Sequence, residues 1–232
     1  MDLLGRVQFD VAGPFHTSIR GNKYFLLIKE ISTRREWVYT IPTKAKSYDA
    51  VNKWKDEQEL LTSTRVKAAG CDGAPELIKA VKEWKGVMLE LTTIASSHQN
   101  GPAERGIRSA NEGCRALLTD SKMPLEFWDE AVEHDVQVRN KTDTGPTRNG
   151  KPVSPEEAYT GQTPSIDHIR RWGSVCYYFV DRKAIPKGQR RDKLVNPGHI
   201  GVYVGHSDHT ARHSKVYSPE RGYTILCSVV KG

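Results

Sequence analysis

Nothing in this 232-residue sequence stays apolar for long enough to cross a bilayer, and its mean hydropathy is negative. The opening Met1-Asp2-Leu3-Leu4-Gly5 turns polar too soon for a signal peptide. Cysteine is scarce. The four residues (Cys71, Cys114, Cys176, Cys227) stand far apart and never as Cys-x-x-Cys, which excludes a zinc knuckle and a dense disulfide framework. They read as reduced, mostly buried thiols of an intracellular protein. Internal repeats and low-complexity tracts are also missing.

What is present suffices for a core: 37% of residues are hydrophobic, enough for one large domain or a medium domain plus a small one. The net charge of +7 is unevenly placed. Residues 1–145 hold 21 Lys and Arg against 21 Asp and Glu, whereas residues 146–232 hold 14 against 7. A basic segment attached to a neutral body points to a polyanion-binding appendage.

Along the chain, residues 5–10 read as a short strand ending at Asp10, followed by apolar strand patterns at 23–28 and 37–41, a three-stranded meander. The period then changes. Tyr48, Val51, Trp54, Gln58 and Leu61 recur every three or four residues, which predicts an amphipathic helix over about 46–61. A strand at 65–71 leads into Asp72-Gly73, Pro75 opens a second helix, and a fifth strand spans 87–91. Helices follow at about 102–119 and 124–139. The first of these has an apolar face (Ala103, Ile107, Ala110, Cys114, Leu117, Leu118) and a polar row beginning at Glu104. Strands followed by alternating helix and strand give a mixed α/β sheet flanked by helices. From Lys141 the chain is loop-like up to a short capped helix at 154–159. Several short strands beyond it (175–180, 198–205, 214–217, 224–230) suggest a small β-barrel. The division expected is a core over 1–140, a linker with a short helix over 141–170, and a basic barrel over 171–232.

Two aspartates at strand ends, Asp10 and Asp72, and a carboxylate on the first turn of a helix, Glu104, can meet at one sheet edge. Three carboxylates together repel unless a cation compensates them. Mg²⁺ is a hard ion that takes oxygen ligands and shares them with phosphates. A pair of such ions about 4 Å apart supports phosphoryl transfer.

Order and context resemble a known family. Phe9-Asp10-x-x-Gly13-Pro14, Cys71-Asp72-Gly73 and His98-Gln99-Asn100-Gly101-x-Ala103-Glu104-Arg105 look like the integrase core of copia-type retrotransposons. Trp128-x-x-Ala131, Arg139-Asn140, Ser154-Pro155-Glu156 and Arg171-Trp172-Gly173 resemble the segments that follow that core. Lys193-Leu194 and Gly201-Val202-Tyr203-Val204-Gly205 resemble the family's SH3-like domain. The resemblance implies an RNase H-like mixed five-stranded sheet followed by an SH3-like barrel. It also implies a metal-dependent polynucleotidyl transferase with endonuclease activity that trims retrotransposon DNA ends and joins them to a target duplex. On it, Asp10, Asp72 and Glu104 bind two Mg²⁺ or Mn²⁺ ions, Gln99 and Asn100 contact DNA, and Arg105 and Arg108 approach phosphates. DNA is the expected partner, RNA a further candidate and no membrane is involved. Such enzymes act as homo-oligomers, and in the nucleus when they act on DNA. Thirty-one residues separate Asp72 from Glu104, a few fewer than is usual in the family, so the alternative reading is a non-catalytic, nucleic-acid-binding remnant of an integrase.

Two further signals lie in the C-terminal part. Arg182, Lys183, Lys187, Arg190, Arg191 and Lys193 place six cations in twelve residues, suited to following a phosphate backbone. His206, His209 and His213 match no metal-ligand spacing and read as a surface turn between barrel strands.

Overall fold

The computed structural model describes residues 2–91, 101–148, 150–179, 198–207, 213–227 and 230–231. The chain forms β1 (Arg6–Ala12), β2 (Tyr24–Glu30), β3 (Glu36–Ile41), α1 (Lys46–Thr62), β4 (Ala68–Cys71), α2 (Pro75–Glu83), β5 (Met88–Leu91) and α3 (Gly101–Ser121). A 3₁₀ turn at Leu125–Phe127 enters α4 (Trp128–Thr142), which is followed by the hairpin β6 (Thr147–Arg148) and β7 (Lys151–Pro152), and by α5 (Pro155–Thr160). The C-terminal strands are β8 (Val175–Phe179), β9 (Gly198–His206), β10 (Ser214–Ser218), β11 (Tyr223–Cys227) and β12 (Val230–Lys231).

The first sheet has the order β3-β2-β1-β4-β5. The β1–β2–β3 meander is antiparallel, while β1–β4 and β4–β5 are parallel. Strand alternation gives this sheet two apolar faces. Val7, Phe9, Leu26, Ile28, Ala69 and Cys71 form one core with Val51 and Trp54 of α1 and Leu77 and Val81 of α2. Phe9 is its centre, edge-on to both Trp54 and Trp84 at centroid distances of 6.2 and 5.8 Å. On the opposite face Ala12, Phe25 and Leu27 meet Ala110 and Cys114 of α3 and Trp128, Ala131, Val132 and Val136 of α4. This is the expected RNase H-like arrangement, a mixed five-stranded sheet with helices on its flanks.

α3 comes close to the sheet because its inner face is small. Ala103, Gly106, Ala110 and Cys114 are its buried residues. A Cβ at Gly106 would stand 2.5 Å from Leu27 Cδ2 and 3.0 Å from Glu36 Oε1. One at Gly113 would lie 2.0 Å from Asp135 Oδ1 on α4.

The C-terminal strands form an antiparallel sheet, β11-β10-β9-β8-β12, compatible with an SH3-like barrel. Its inner residues are Cys176, Tyr178, Tyr203, Val216 and Cys227. It packs against the first unit. Val202, Val204, Trp172 and Tyr217 join the core around α4, and Phe127 meets Tyr217 edge-on at 4.8 Å. Within the motif Arg171-Trp172-Gly173, the Trp172 indole donates to the Val204 carbonyl (3.1 Å) and Gly173 lies against Ser121 at the end of α3.

Several details differ from the sequence expectations. β1 runs past Asp10 to Ala12 because its pairing with β2 continues to Phe25. β4 starts at Ala68 rather than at residue 65. Leu61 is 77% exposed, since the inward stripe of α1 follows Ser47, Val51, Trp54 and Gln58. The loop-like stretch after Lys141 contains the β6–β7 hairpin, and Tyr159 of α5 packs on Trp37 and donates to Gln58 Oε1.

Close packing at Gly106 yields a direct expectation. Gly106→Ala forces α3 away from β2 and costs about 1–3 kcal/mol in urea unfolding. A stability equal to or above that of the parent protein would show that the helix does not depend on this approach.

Candidate active site

Asp10 is a β1 residue paired with Leu27 of β2. The parallel ladder of β1 and β4 ends with Phe9 opposite Cys71, so one further step brings Asp72, the residue just after β4, towards Asp10. Phe9 and Cys71 both point into the core beneath α1 and α2. By alternation Asp10 and Asp72 project from the other face, the face on which α3 lies. β4 ends at once after Cys71: Gly73 takes a left-handed backbone (φ +88°), and Pro75 starts α2. The chain therefore leaves Asp72 at the sheet end.

α3 supplies the third carboxylate. Leu27, the cross-strand partner of Asp10, is the residue against which Gly106 rests, and Glu104 lies two residues earlier in the first turn, exposed. Arg105 and Arg108 are exposed on the same helix, with the Arg105 guanidinium folded back over Gly101.

The three acids sense one another electrostatically. Burial pushes the Asp10 carboxyl up to about 7; the negative charge of Asp72 adds to this, Glu104 and a hydrogen bond with Asp72 add further, and the Val11 amide donating to Asp10 Oδ1 at 2.7 Å opposes it. Asp10, Asp72 and Glu104 are thus brought into one neighbourhood. Among the described residues no three His, Cys, Asp or Glu side chains are drawn into a ready metal cage. The donor set nevertheless fits a hard divalent cation. It consists of carboxylate oxygens only, and one of them is desolvated and driven towards neutrality by two like charges that a cation would balance. Cys71, one residue from Asp72, is raised by burial and remains a thiol.

The remaining nucleic-acid contacts expected from sequence (Gln99, Asn100, Lys183, Lys187, Arg190, Arg191 and Lys193) lie outside the described residues, as does His209. His206 is not a surface-turn residue. It ends β9 at 8% exposure, its ring 4.4 Å from that of His168 and its nitrogens 3.0 and 2.5 Å from the His213 and His168 carbonyl oxygens. Composition and spacing carried no sign of Gly106, whose importance comes only from what it faces.

No family model matches the chain. Among curated proteins it is similar to the retrovirus-related Pol polyprotein from transposon TNT 1-94 of Nicotiana tabacum, 29% identical over 213 residues, which cover 90% of this chain and 15% of that polyprotein. It is also similar to the retrovirus-related Pol polyprotein from transposon RE2 of Arabidopsis thaliana, 23% identical over 192 residues, 82% of this chain and 13% of that one. The chain therefore spans only a small part of these relatives' length. A chain of the simian T-cell lymphotropic virus intasome shares its fold, with a TM-score of 0.52, 11% identity, and coverage of 97% of this chain and 77% of that one. These similarities bear out the resemblance to copia-type retrotransposon integrases.

A carboxyl raised on folding makes the metal-free protein pH-sensitive in a definite direction. Between its ordinary value of 3.8 and about 7 the folded state holds a proton that the unfolded state has released, so stability falls as pH rises through this window and is level above it. Asp10→Asn should remove this slope and leave the chelator-treated protein about 1–3 kcal/mol more stable than the parent at pH 8 by urea unfolding. Parallel pH profiles for the two proteins would contradict the placement of the three acids.

Proposed function

We propose that this chain, a relative of the Pol polyproteins of plant retrotransposons, is the integrase segment of a copia-type element. It trims the ends of the element's DNA and joins them to a target duplex. What supports this reading is that Asp10 lies under the negative charge of both Asp72 and Glu104, the other two acids of the motif.

Asp10, Asp72 and Glu104 would hold Mg²⁺ or Mn²⁺, which when bound activates the attacking oxygen and stabilises the leaving one. In end trimming, water oxygen attacks a phosphodiester phosphorus and the 3′-oxygen leaves with a proton. In joining, that 3′-hydroxyl attacks a target phosphodiester, so one P–O bond forms as another breaks and no external energy is needed. Asp10 and Asp72 are positioned by rigid neighbouring strands, and Glu104 by the close seating of α3 at Gly106. Arg105 and Arg108 neutralise phosphates beside the acids, Gln99 and Asn100 approach the bases and backbone, and Lys183, Lys187, Arg190, Arg191 and Lys193 extend the contact. Affinity for DNA is then largely electrostatic and falls steeply with salt. DNA ends and target duplex are the partners, and several copies of the chain assemble around them.

The test is a nicking and strand-transfer assay on duplex ends in Mn²⁺. The parent chain should act, and Glu104→Gln should lower activity by at least about a hundredfold, the loss of several kcal/mol of transition-state stabilisation, while leaving DNA binding intact. Equal activity in parent and variant would overturn the catalytic role of Glu104. DNA binding without any metal-dependent cleavage by the parent would make the chain a nucleic-acid-binding remnant instead.

A further inference from the structure

β3 is the last strand of the first sheet, so one of its edges has no neighbouring strand. The Glu30 amide donates to the Arg35 carbonyl at 2.9 Å, and Lys29 stands opposite Glu36 in the register. The antiparallel alternation then turns the N–H and C=O of Glu36, Val38 and Thr40 away from β2, onto that edge. Asn140 of α4 closes the first of these positions. Its Oδ1 accepts from the Glu36 amide at 2.9 Å and its Nδ2 donates to the Glu36 carbonyl at 2.7 Å, as a neighbouring strand would. The backbone groups of Val38 and Thr40 have no such partner among the described residues. They open onto a groove of about 1240 Å³ lined by Glu36 to Thr40 without a break, by the end of α1 and by α4. Leu60 and Leu61 of α1, 82% and 77% exposed, form its apolar part. Five Lys and Arg residues line it against four Glu. Arg20 and Lys215 reach Glu133, and Lys53 reaches Glu57. Lys141 lies 3.2 Å from His168 Nε2 and has no carboxylate in ion-pair contact among the described residues.

We propose that this groove docks one extended polypeptide segment of a partner protein, which adds a strand to β3 and carries apolar and acidic side chains in alternation. An unpaired strand edge specifies an extended peptide, because a polypeptide repeats donor and acceptor at the spacing that Val38 and Thr40 present. Side chains of an added strand point alternately to the two faces of the sheet. Those on the α1 face reach Leu60 and Leu61, and those on the α4 face meet the positive surplus at Lys141. A second copy of β3 would bring its own α1 and α4 against those of the first, so the occupant is a single segment rather than another sheet. Asn140 sets the end of the added ladder, since Glu36 is already paired. The docking site stands independently of any activity on DNA.

Amide NMR titration of the full chain tests it, with a capped peptide of ordinary strand length that alternates valine and glutamate as the probe. The Val38 and Thr40 amides should shift on saturable binding. N-methylation of one alternating set of peptide amides, the set facing β3, should weaken binding at least about tenfold, and N-methylation of the other set should not. Replacing the glutamates by lysines should weaken it as well, as should Lys141→Ala. Val38→Pro, which an edge strand tolerates, should abolish binding. No saturable binding of the probe would overturn the proposal, as would two N-methylated peptides that both bind as tightly as the unmodified one. Self-association of the chain that Val38→Pro abolishes would assign the edge to a second copy and overturn it too. The peptide comparison uses the parent chain alone, so a Val38→Pro protein that failed to fold would not shield the idea.

Discussion

The parallel ladder between β1 and β4 is the constraint on which the rest depends. Register along a strand has a period of two, so slipping β1 against β4 by one residue would send Asp10 or Asp72 into the hydrophobic core. Phe9 and Cys71 prevent the slip, because both belong to the same buried cluster and Phe9 is held between Trp54 and Trp84. The aromatic core beneath α1 and α2 thus determines which way two acids point on the far side of the sheet.

The third acid depends on a different kind of contact. α3 reaches the sheet through residues without bulk, and its seat at Gly106 lies against the strand residue paired with Asp10. Glu104 is carried there by the geometry of α3. The cost is electrostatic: three carboxyls share a neighbourhood, one of them pushed well up from its ordinary range. Such strain is typical of places where a ligand supplies the missing charge.

Much of this was legible in the chain, and what escaped did so for identifiable reasons. Apolar periodicity gave the mixed sheet and the flanking helices, and the turn chemistry of Asp72-Gly73 and Pro75 marked the end of β4. Leu61 was expected inside because period alone cannot say where an apolar stripe stops, and the buried stripe of α1 ends at Gln58. Asp10 was expected at a strand end, whereas pairing with β2 carries the strand two residues further. The seat at Gly106 and the docking of the C-terminal sheet were invisible for a common reason. Both rest on residues whose partners are distant in sequence, and Glu130, Glu133 and His134 look like any solvated helix face until Arg20 and Lys215 are placed beside them.

The architecture joins two rigid supports, the β1–β4 ladder and α3, at one group of oxygens, with the C-terminal sheet docked on α4. Calorimetric titration of the chelator-treated chain with Mn²⁺ tests the central claim most directly. The account predicts saturable binding of two ions that Asp72→Asn abolishes. Absence of binding, or binding unchanged in Asp72→Asn, would contradict it.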